Sequence, residues 1–263
     1  MTGGNNVAVQ LWTLRKELEI DLEDTLRQIA AIGYAGIELW FPSFPDAHYL
    51  ARLAEQLDLA IVGAHVPFVD LRDKTEQVMD YHRTLGNKRL VIPFIEPDAR
   101  RDAEDWRRRV DEILSIAQQV TETGFELAYH NHAFEFESRV EGKTAHDYIF
   151  SSIGAELLKA ELDTYFLAEV GKDPAACIDQ FKSRCHLLHI KDRIANNGGS
   201  RNSEIGSGSI DWQAIFQAAA RAGVEWFIVE QDCGTQPALE SVRLSFDYLK
   251  SSGLTDPDRG GDT

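Results

Sequence analysis

Short apolar runs recur along the whole chain, each followed by a longer segment of helical periodicity. The runs cover 7–12, 35–40, 59–66, 89–95, 125–130, 157–163, 186–191 and 224–230, and they predict eight β-strands. Several are almost continuously apolar, as in Leu90-Val-Ile-Pro-Phe-Ile95. That is the composition of strands buried on both faces of a parallel sheet. Between them, Asp21 is a suitable N-cap for a helix over 22–32, which Gly33 stops. The stretch 102–123 is amphipathic, with Trp106, Val110, Ile113, Ile116, Ala117 and Val120 on one stripe. Asp173-Pro174 opens a further helix, Asp211 caps one over 212–222, and Pro237 starts one over 238–249.

Strand–helix alternation of this kind predicts parallel βαβ units, and eight repeats predict an α/β fold closed into a single (β/α)8 TIM barrel. No Gly-x-Gly-x-x-Gly follows the first strand, so a dinucleotide-binding sheet has no support. The expected barrel spans 7–252, with 1–6 a disordered N-terminus and 253–263 a flexible C-terminal tail. The segment 193–209 is rich in Asn, Gly and Ser and is the least regular part of the chain. It follows the seventh strand, and its length suits a substrate-covering loop better than a plain connector.

Composition narrows the classes. The chain has 263 residues, a size that one barrel fills, and 43% of them are hydrophobic. No apolar run approaches the roughly 20 residues needed to span a bilayer. The first residues have neither a basic nor an apolar leader segment, so a cytoplasmic location is the simplest expectation. The net charge is −16, which repels phosphate backbones and anionic lipid. Neither nucleic acid nor a membrane is therefore expected as a partner, while a homo-oligomer is left open. Cys177, Cys185 and Cys233 form no Cys-x-x-Cys pair and read as idle thiols in a reducing compartment.

In a TIM barrel the active site lies at the C-terminal ends of the strands. Gln10 and Trp12 lie near the end of the first predicted strand, Glu38 and Trp40 end the second, and His65 ends the third. His130 and His132 end the fifth, with Glu135 close behind. Asp163 ends the sixth, His189 and Lys191 the seventh, and Glu230 and Asp232 the eighth. Residues two apart share one side of a strand. A single buried polar group is more often a structural one, satisfied by a hydrogen bond. Five strands ending in Glu, His, Asp, His and Glu are hard to obtain by chance.

Strand ends that meet would bring His130, Asp163, His189 and Glu230 to one point, the donor set of one divalent metal ion. Mixed nitrogen and oxygen donors suit Mn²⁺, Zn²⁺, Co²⁺ or Fe²⁺ better than Ca²⁺. Such an ion polarises a sugar carbonyl and acidifies the proton α to it. Glu38, His65, His132 and Lys191 are then available to move that proton. Trp12, Trp40 and Phe68 are candidates for an apolar wall against a sugar face. Lys191 and Arg193 are either oxyanion or phosphate ligands or surface charges.

Longer strings add a resemblance. They are Gln10-Leu-Trp-Thr-Leu-Arg15, Gly33-Tyr-Ala-Gly-Ile-Glu-Leu39, Gly63-Ala-His-Val66, Tyr129-His-Asn-His-Ala-Phe-Glu-Phe136, Glu161-Leu-Asp-Thr-Tyr165, Leu188-His-Ile-Lys-Asp192, Glu204-Ile-Gly-Ser-Gly-Ser-Ile-Asp-Trp212 and Val229-Glu-Gln-Asp232. Through them the chain resembles the sugar phosphate isomerase/epimerase superfamily with the xylose isomerase-like TIM barrel, in a Tyr-His-Asn-His-x-Phe-Glu-Phe branch, from about residue 7 to 250. The resemblance implies a divalent metal at the ends of strands five to eight, held by Glu, Asp, His and Glu. Asp163, His189 and Glu230 match the last three positions. His130 stands where many relatives carry Glu. Either His130 is the first ligand, or Glu135 folds back from the loop; His132 is a third candidate, and equally an acid/base.

The implied activity is that of a metal-dependent isomerase or epimerase. It would act on a sugar or keto-sugar by proton transfer α to a carbonyl, through a metal-bound enediolate. The implied catalytic residues are His132, Glu135, Glu230, His65 and Glu38. Gln10, Trp12, Trp40, His65, Lys191, Arg193 and Glu204 are the implied substrate contacts. Epimerases of this superfamily use the carboxylates of strands five and eight for proton transfer, and His130 breaks that pair. A lyase or dehydratase acting on a keto-inositol or a 3-keto-glycoside is the alternative. The net charge argues against an apurinic-site endonuclease, and a non-catalytic barrel ranks last. No glycine-rich phosphate cradle follows strands seven and eight, although Gly206 and Gly208 lie in that region.

Overall fold

Eight parallel strands close on themselves in chain order. They are β1 (Val7–Gln10), β2 (Gly36–Trp40), β3 (Ala60–His65), β4 (Arg89–Ile92), β5 (Glu126–His130), β6 (Leu158–Asp163), β7 (Leu187–Ile190) and β8 (Trp226–Val229). β1 pairs with both β2 and β8, which completes the barrel. The computed structural model describes residues 7–40, 45–196, 199–232 and 236–254. Every predicted strand forms, so the near-continuous apolar runs were a sound signal for a buried parallel sheet. The predicted ends run slightly long. Trp12 falls not on β1 but in a short 3-10 helix, Leu11–Leu14, which begins where the Gln10 side chain accepts the Trp12 N–H at 3.1 Å.

The helices follow their caps. Leu22–Ile32 starts with the Asp21 carboxylate accepting the Asp24 N–H, and Trp212–Ala222 starts with Asp211 accepting that of Ala214. Ala103–Glu122 is capped by Asp102, and the predicted apolar stripe is its buried face. The last helix, Ala238–Ser251, extends past the expected end at 249. Leu254 still packs against the core, so ordered packing continues beyond residue 252. The expected disordered residues 1–6, the tail from 255 onward and Cys233 lie outside the described residues. Cys177 and Cys185 are buried and unpaired.

The segment after β7 departs from the expectation of an irregular loop. Asp192–Asn196 pairs antiparallel with Gly199–Ser203. Beyond this hairpin the chain is gathered by one buried carboxylate. Asp192 accepts the N–H groups of Arg193, Gly206, Gly208 and Ile210, and the indole N–H of Trp212 at 2.8 Å. A Cβ at Gly208 would lie 2.1 Å from Asp192 Oδ1, so only glycine passes there. Composition alone read the segment as loop because its order comes from this tertiary tether.

Most of the apolar core lies between the barrel and its surrounding helices. A second, smaller cluster joins Ala8, Val62, Val91, Ala128, Leu187 and Ile228. Two residues beyond Ala8, Ala128, Leu187 and Ile228, on the same side of each strand, stand Gln10, His130, His189 and Glu230. A dry layer therefore supports a polar one above it. Space for the polar layer is made at Gly63. The pairing of β2 with β3 shifts register between Ile37 and Glu38, which sets Glu38 opposite Gly63. A Cβ on Gly63 would come within 2.7 Å of Glu38 Oε1.

Candidate metal centre

Register places the polar residues side by side before any side chain is considered. Gln10 pairs with Glu38, Trp40 with His65, His130 with Glu161, and Asp163 with His189. His130, Asp163, His189 and Glu230 each offer a ligand atom within 4.8 Å of the others, and all four are buried. His130 Nε2 lies 3.8 Å from Asp163 Oδ2, and His189 Nδ1 lies 2.9 Å from Glu230 Oε2. A second group, His65, His130, Glu161 and His189, meets the same criterion and shares both imidazoles with the first.

Lys191 supplies the local positive charge. Its Nζ is 2.7 Å from Glu230 Oε2, 2.9 Å from Asp232 Oδ2 and 3.0 Å from Asp163 Oδ2. Burial opposes its charge, but these three carboxylates outweigh burial and hold the ammonium well above its usual pKa. Burial likewise disfavours the Glu230 carboxylate, yet Lys191 and His189 keep it well below the usual carboxylate range. Burial pushes Glu38 up to about 7, helped by the charge of Glu161. His130 is held well below its ordinary value by burial and by the neighbouring His189 and His65. His189 goes the other way, because Glu161 and Glu38 outweigh its burial. Like imidazoles a few ångströms apart thus take opposite protonation preferences.

Above the cluster opens a cavity of about 430 Å³. Trp12, Trp40, Pro67, Pro93 and Phe94 form its apolar side, and His65, Glu96, His130, His132, Lys191, Glu230 and Asp232 its polar side. Trp12 and Trp40 meet edge to face with ring centroids 4.7 Å apart. The expected site residues divide accordingly. Trp12, Trp40, His65, His130, His132, Lys191 and Glu230 line the cavity. Asp163 and His189 lie fully buried behind it.

Others are placed elsewhere. Glu135 does not fold back toward the other candidate ligands; its carboxylate accepts the Tyr129 hydroxyl at 2.9 Å and the His132 N–H at 2.8 Å. It therefore braces the turn that carries His132, and burial pushes it up to about 7. Glu38 lies below the cavity, with Oε2 accepting from Gln10 Nε2 at 2.6 Å and lying 2.7 Å from His189 Nε2. Gln10 is thereby engaged in the barrel floor rather than in the cavity wall. Glu204 accepts the Ser241 hydroxyl at 3.1 Å, and Arg193 sits on the hairpin, away from the cavity lining. Phe68 belongs to the core.

Sequence reasoning passed over Glu161. Its Oε2 lies within hydrogen-bonding distance of His65 Nε2 and His130 Nδ1, at 2.6 and 2.9 Å. The signal was available: Glu161 stands two residues before Asp163, on the same side of β6.

Residues 26–252 match the xylose isomerase-like TIM barrel family, and the chain belongs to it. Among curated proteins, an inosose dehydratase of Geobacillus thermodenitrificans is 21% identical over 272 residues, covering 89% of this chain and 90% of that protein. Among solved structures, a sugar phosphate isomerase/epimerase of Parabacteroides distasonis superposes with a TM-score of 0.83 at 20% identity, covering 96% of this chain and all of the other. An L-ribulose 3-epimerase superposes with a TM-score of 0.70 at 16% identity, covering 97% and 96%. At these identities the structural likeness carries the fold. Among the described residues, no helix is long and apolar enough to cross a membrane.

Proposed function

We propose that the protein is a divalent-metal-dependent isomerase or epimerase of a keto-sugar or keto-polyol, working by proton transfer α to the carbonyl. The observation that carries this reading is the convergence of His130, Asp163, His189 and Glu230 at the floor of an aromatic-walled cavity. Two carboxylates and two imidazoles within mutual reach fit a first-row divalent ion such as Mn²⁺, Zn²⁺, Co²⁺ or Fe²⁺. When bound, such an ion supplies Lewis-acid polarisation of a carbonyl. The chain's own groups do the rest. Trp12 and Trp40 offer a flat apolar face for a sugar ring. His132, pushed down to about 3 chiefly by burial, favours the neutral imidazole at the cavity wall. Lys191 keeps its ammonium charge at the cavity wall, where it offsets the negative charge of Asp163, Glu230 and Asp232.

A dehydratase reading is favoured by one observation. The fifth-strand donor is an imidazole and the eighth-strand donor a carboxylate, so the cavity lacks the symmetric pair suited to epimerisation. Elimination uses different groups to remove a proton and to assist departure of a hydroxyl. The inosose dehydratase relatives agree with it. The test is NMR in D₂O with ketoses, a keto-inositol and a 3-keto-glucoside, with each ion added in turn. Deuterium in recovered substrate or its epimer supports isomerase chemistry, whereas loss of water or of the glycosidic substituent supports the lyase. No exchange and no elimination with any of them would sink both.

A further inference from the structure

Glu161 is fully buried and lies outside the cavity lining, so direct contact with substrate does not explain an acid at this position. Its Oε2 lies 2.6 Å from His65 Nε2, 2.9 Å from His130 Nδ1 and 3.3 Å from His189 Nε2. The nitrogens of His130 and His189 that face it are not the ones that face the upper carboxylates. His130 turns Nε2 toward Asp163, and His189 turns Nδ1 toward Glu230. A neutral imidazole gives a lone pair from one nitrogen only when its proton sits on the other. A carboxylate that accepts that proton's hydrogen bond fixes both the tautomer and the tilt of the ring.

We propose that Glu161 is the positioning residue of the ion site. Glu161 holds His130 with its proton on Nδ1 and, together with Glu38, holds His189 with its proton on Nε2, so that Nε2 of the first and Nδ1 of the second face the ion. The inference rests on the ligand set His130, Asp163, His189 and Glu230. Glu38 is the nearer acceptor for His189 Nε2, at 2.7 Å against 3.3 Å for Glu161, while Glu161 also reaches His130 Nδ1 at 2.9 Å and so links the two rings. A carboxylate kept in the barrel interior without contact with substrate is what such a role needs.

The test uses the full chain loaded with Zn²⁺ and labelled with ¹⁵N-histidine. Long-range ¹H–¹⁵N spectra read which nitrogen of each ring is protonated and which is bound to the ion. The expected pattern is Nδ1–H with bound Nε2 for His130, and Nε2–H with bound Nδ1 for His189. Co²⁺ titration followed by visible absorption then compares the unaltered protein with Glu161→Gln and Glu38→Gln. Glu161→Gln should bind Co²⁺ roughly 10–100-fold more weakly, with an altered ligand-field band, as loss of an outer carboxylate does in other sites. Glu38→Gln should weaken it less. Unaltered affinity in Glu161→Gln, or the reverse pair of tautomers, overturns the inference and leaves the ligand set standing. An ion lost on Glu161→Gln but kept on Asp163→Asn makes Glu161 a ligand and overturns both. The tautomer measurement needs no variant, so a poorly folded Glu161→Gln does not end the test.

Discussion

His130 and His189 belong to strands that are not neighbours, yet their ring centroids stand 4.5 Å apart, edge to face. β6 separates the two strands, and Asp163 at its end offers a ligand atom within 4.8 Å of one from each ring. The barrel's curvature draws alternate strand ends together, which a flat sheet would keep about 10 Å apart.

Asp163→Ala should abolish ion retention. The unaltered protein, dialysed after loading with Zn²⁺ or Mn²⁺, should carry close to one ion per chain. Loss of an inner donor should weaken binding by more than the roughly 10–100-fold typical of an outer-shell change. Inductively coupled plasma mass spectrometry reads the content. Full retention in the variant would remove Asp163 from the site.

Lys191→Met should destabilise the ion-free protein by about 3–5 kcal/mol, because three carboxylates would lose a buried partner. A divalent ion should restore much of that loss by binding the folded state alone. Urea unfolding with and without ion measures both. Equal stability of the two ion-free proteins would show that the ammonium is not the balancing charge.

His82 gives a pH dependence remote from the site. It is fully buried, and Asn87 Nδ2 lies 3.1 Å from its Nδ1. Burial pushes its pKa down to about 4, so the fold favours the neutral ring. Its contribution is complete above the unfolded value near 6.5 and is lost as pH falls through about 4, amounting to roughly 3 kcal/mol. His82→Leu should flatten the stability profile between those values. A profile of unchanged slope would refute the assignment.

Asp192→Ala should loosen 204–212 without unfolding the barrel. Five N–H groups would lose their acceptor, at about 1–3 kcal/mol for each that stays buried. Limited proteolysis should cut first in this segment, and amide exchange there should rise while that of β1 to β8 stays slow. Uniform acceleration throughout would mean that the tether supports the whole fold.

The barrel was legible because its strands are read by run length and apolarity, which burial on both faces enforces. The ends of the strands were legible too, since an acid or imidazole after such a run stands out, as at Asp163 and Glu230. Glu161 was not, because it lies inside its run and looks like an interruption of it. Glu135 was misplaced for a related reason. Nearness along the chain to His132 suggested a shared site, whereas the helix Phe134–Glu137 turns its carboxylate back on Tyr129 and the His132 backbone. Two expected substrate contacts stand away from the cavity: Arg193 pairs with Asn202 in the hairpin, and Glu204, one residue beyond it, accepts the Ser241 hydroxyl, pairings that only the folded chain sets.

Gly63 reaches past its own strand. In an interior tiled with aliphatic side chains it is the missing tile, and the Glu38 carboxylate occupies the gap. The depth of the polar layer is therefore set by a residue with no side chain. Filling that gap with one methyl group would lift the floor beneath His189 without replacing any reactive atom. Relatives with a larger residue here would need a shorter one at 38, so the two positions should be inherited as a pair.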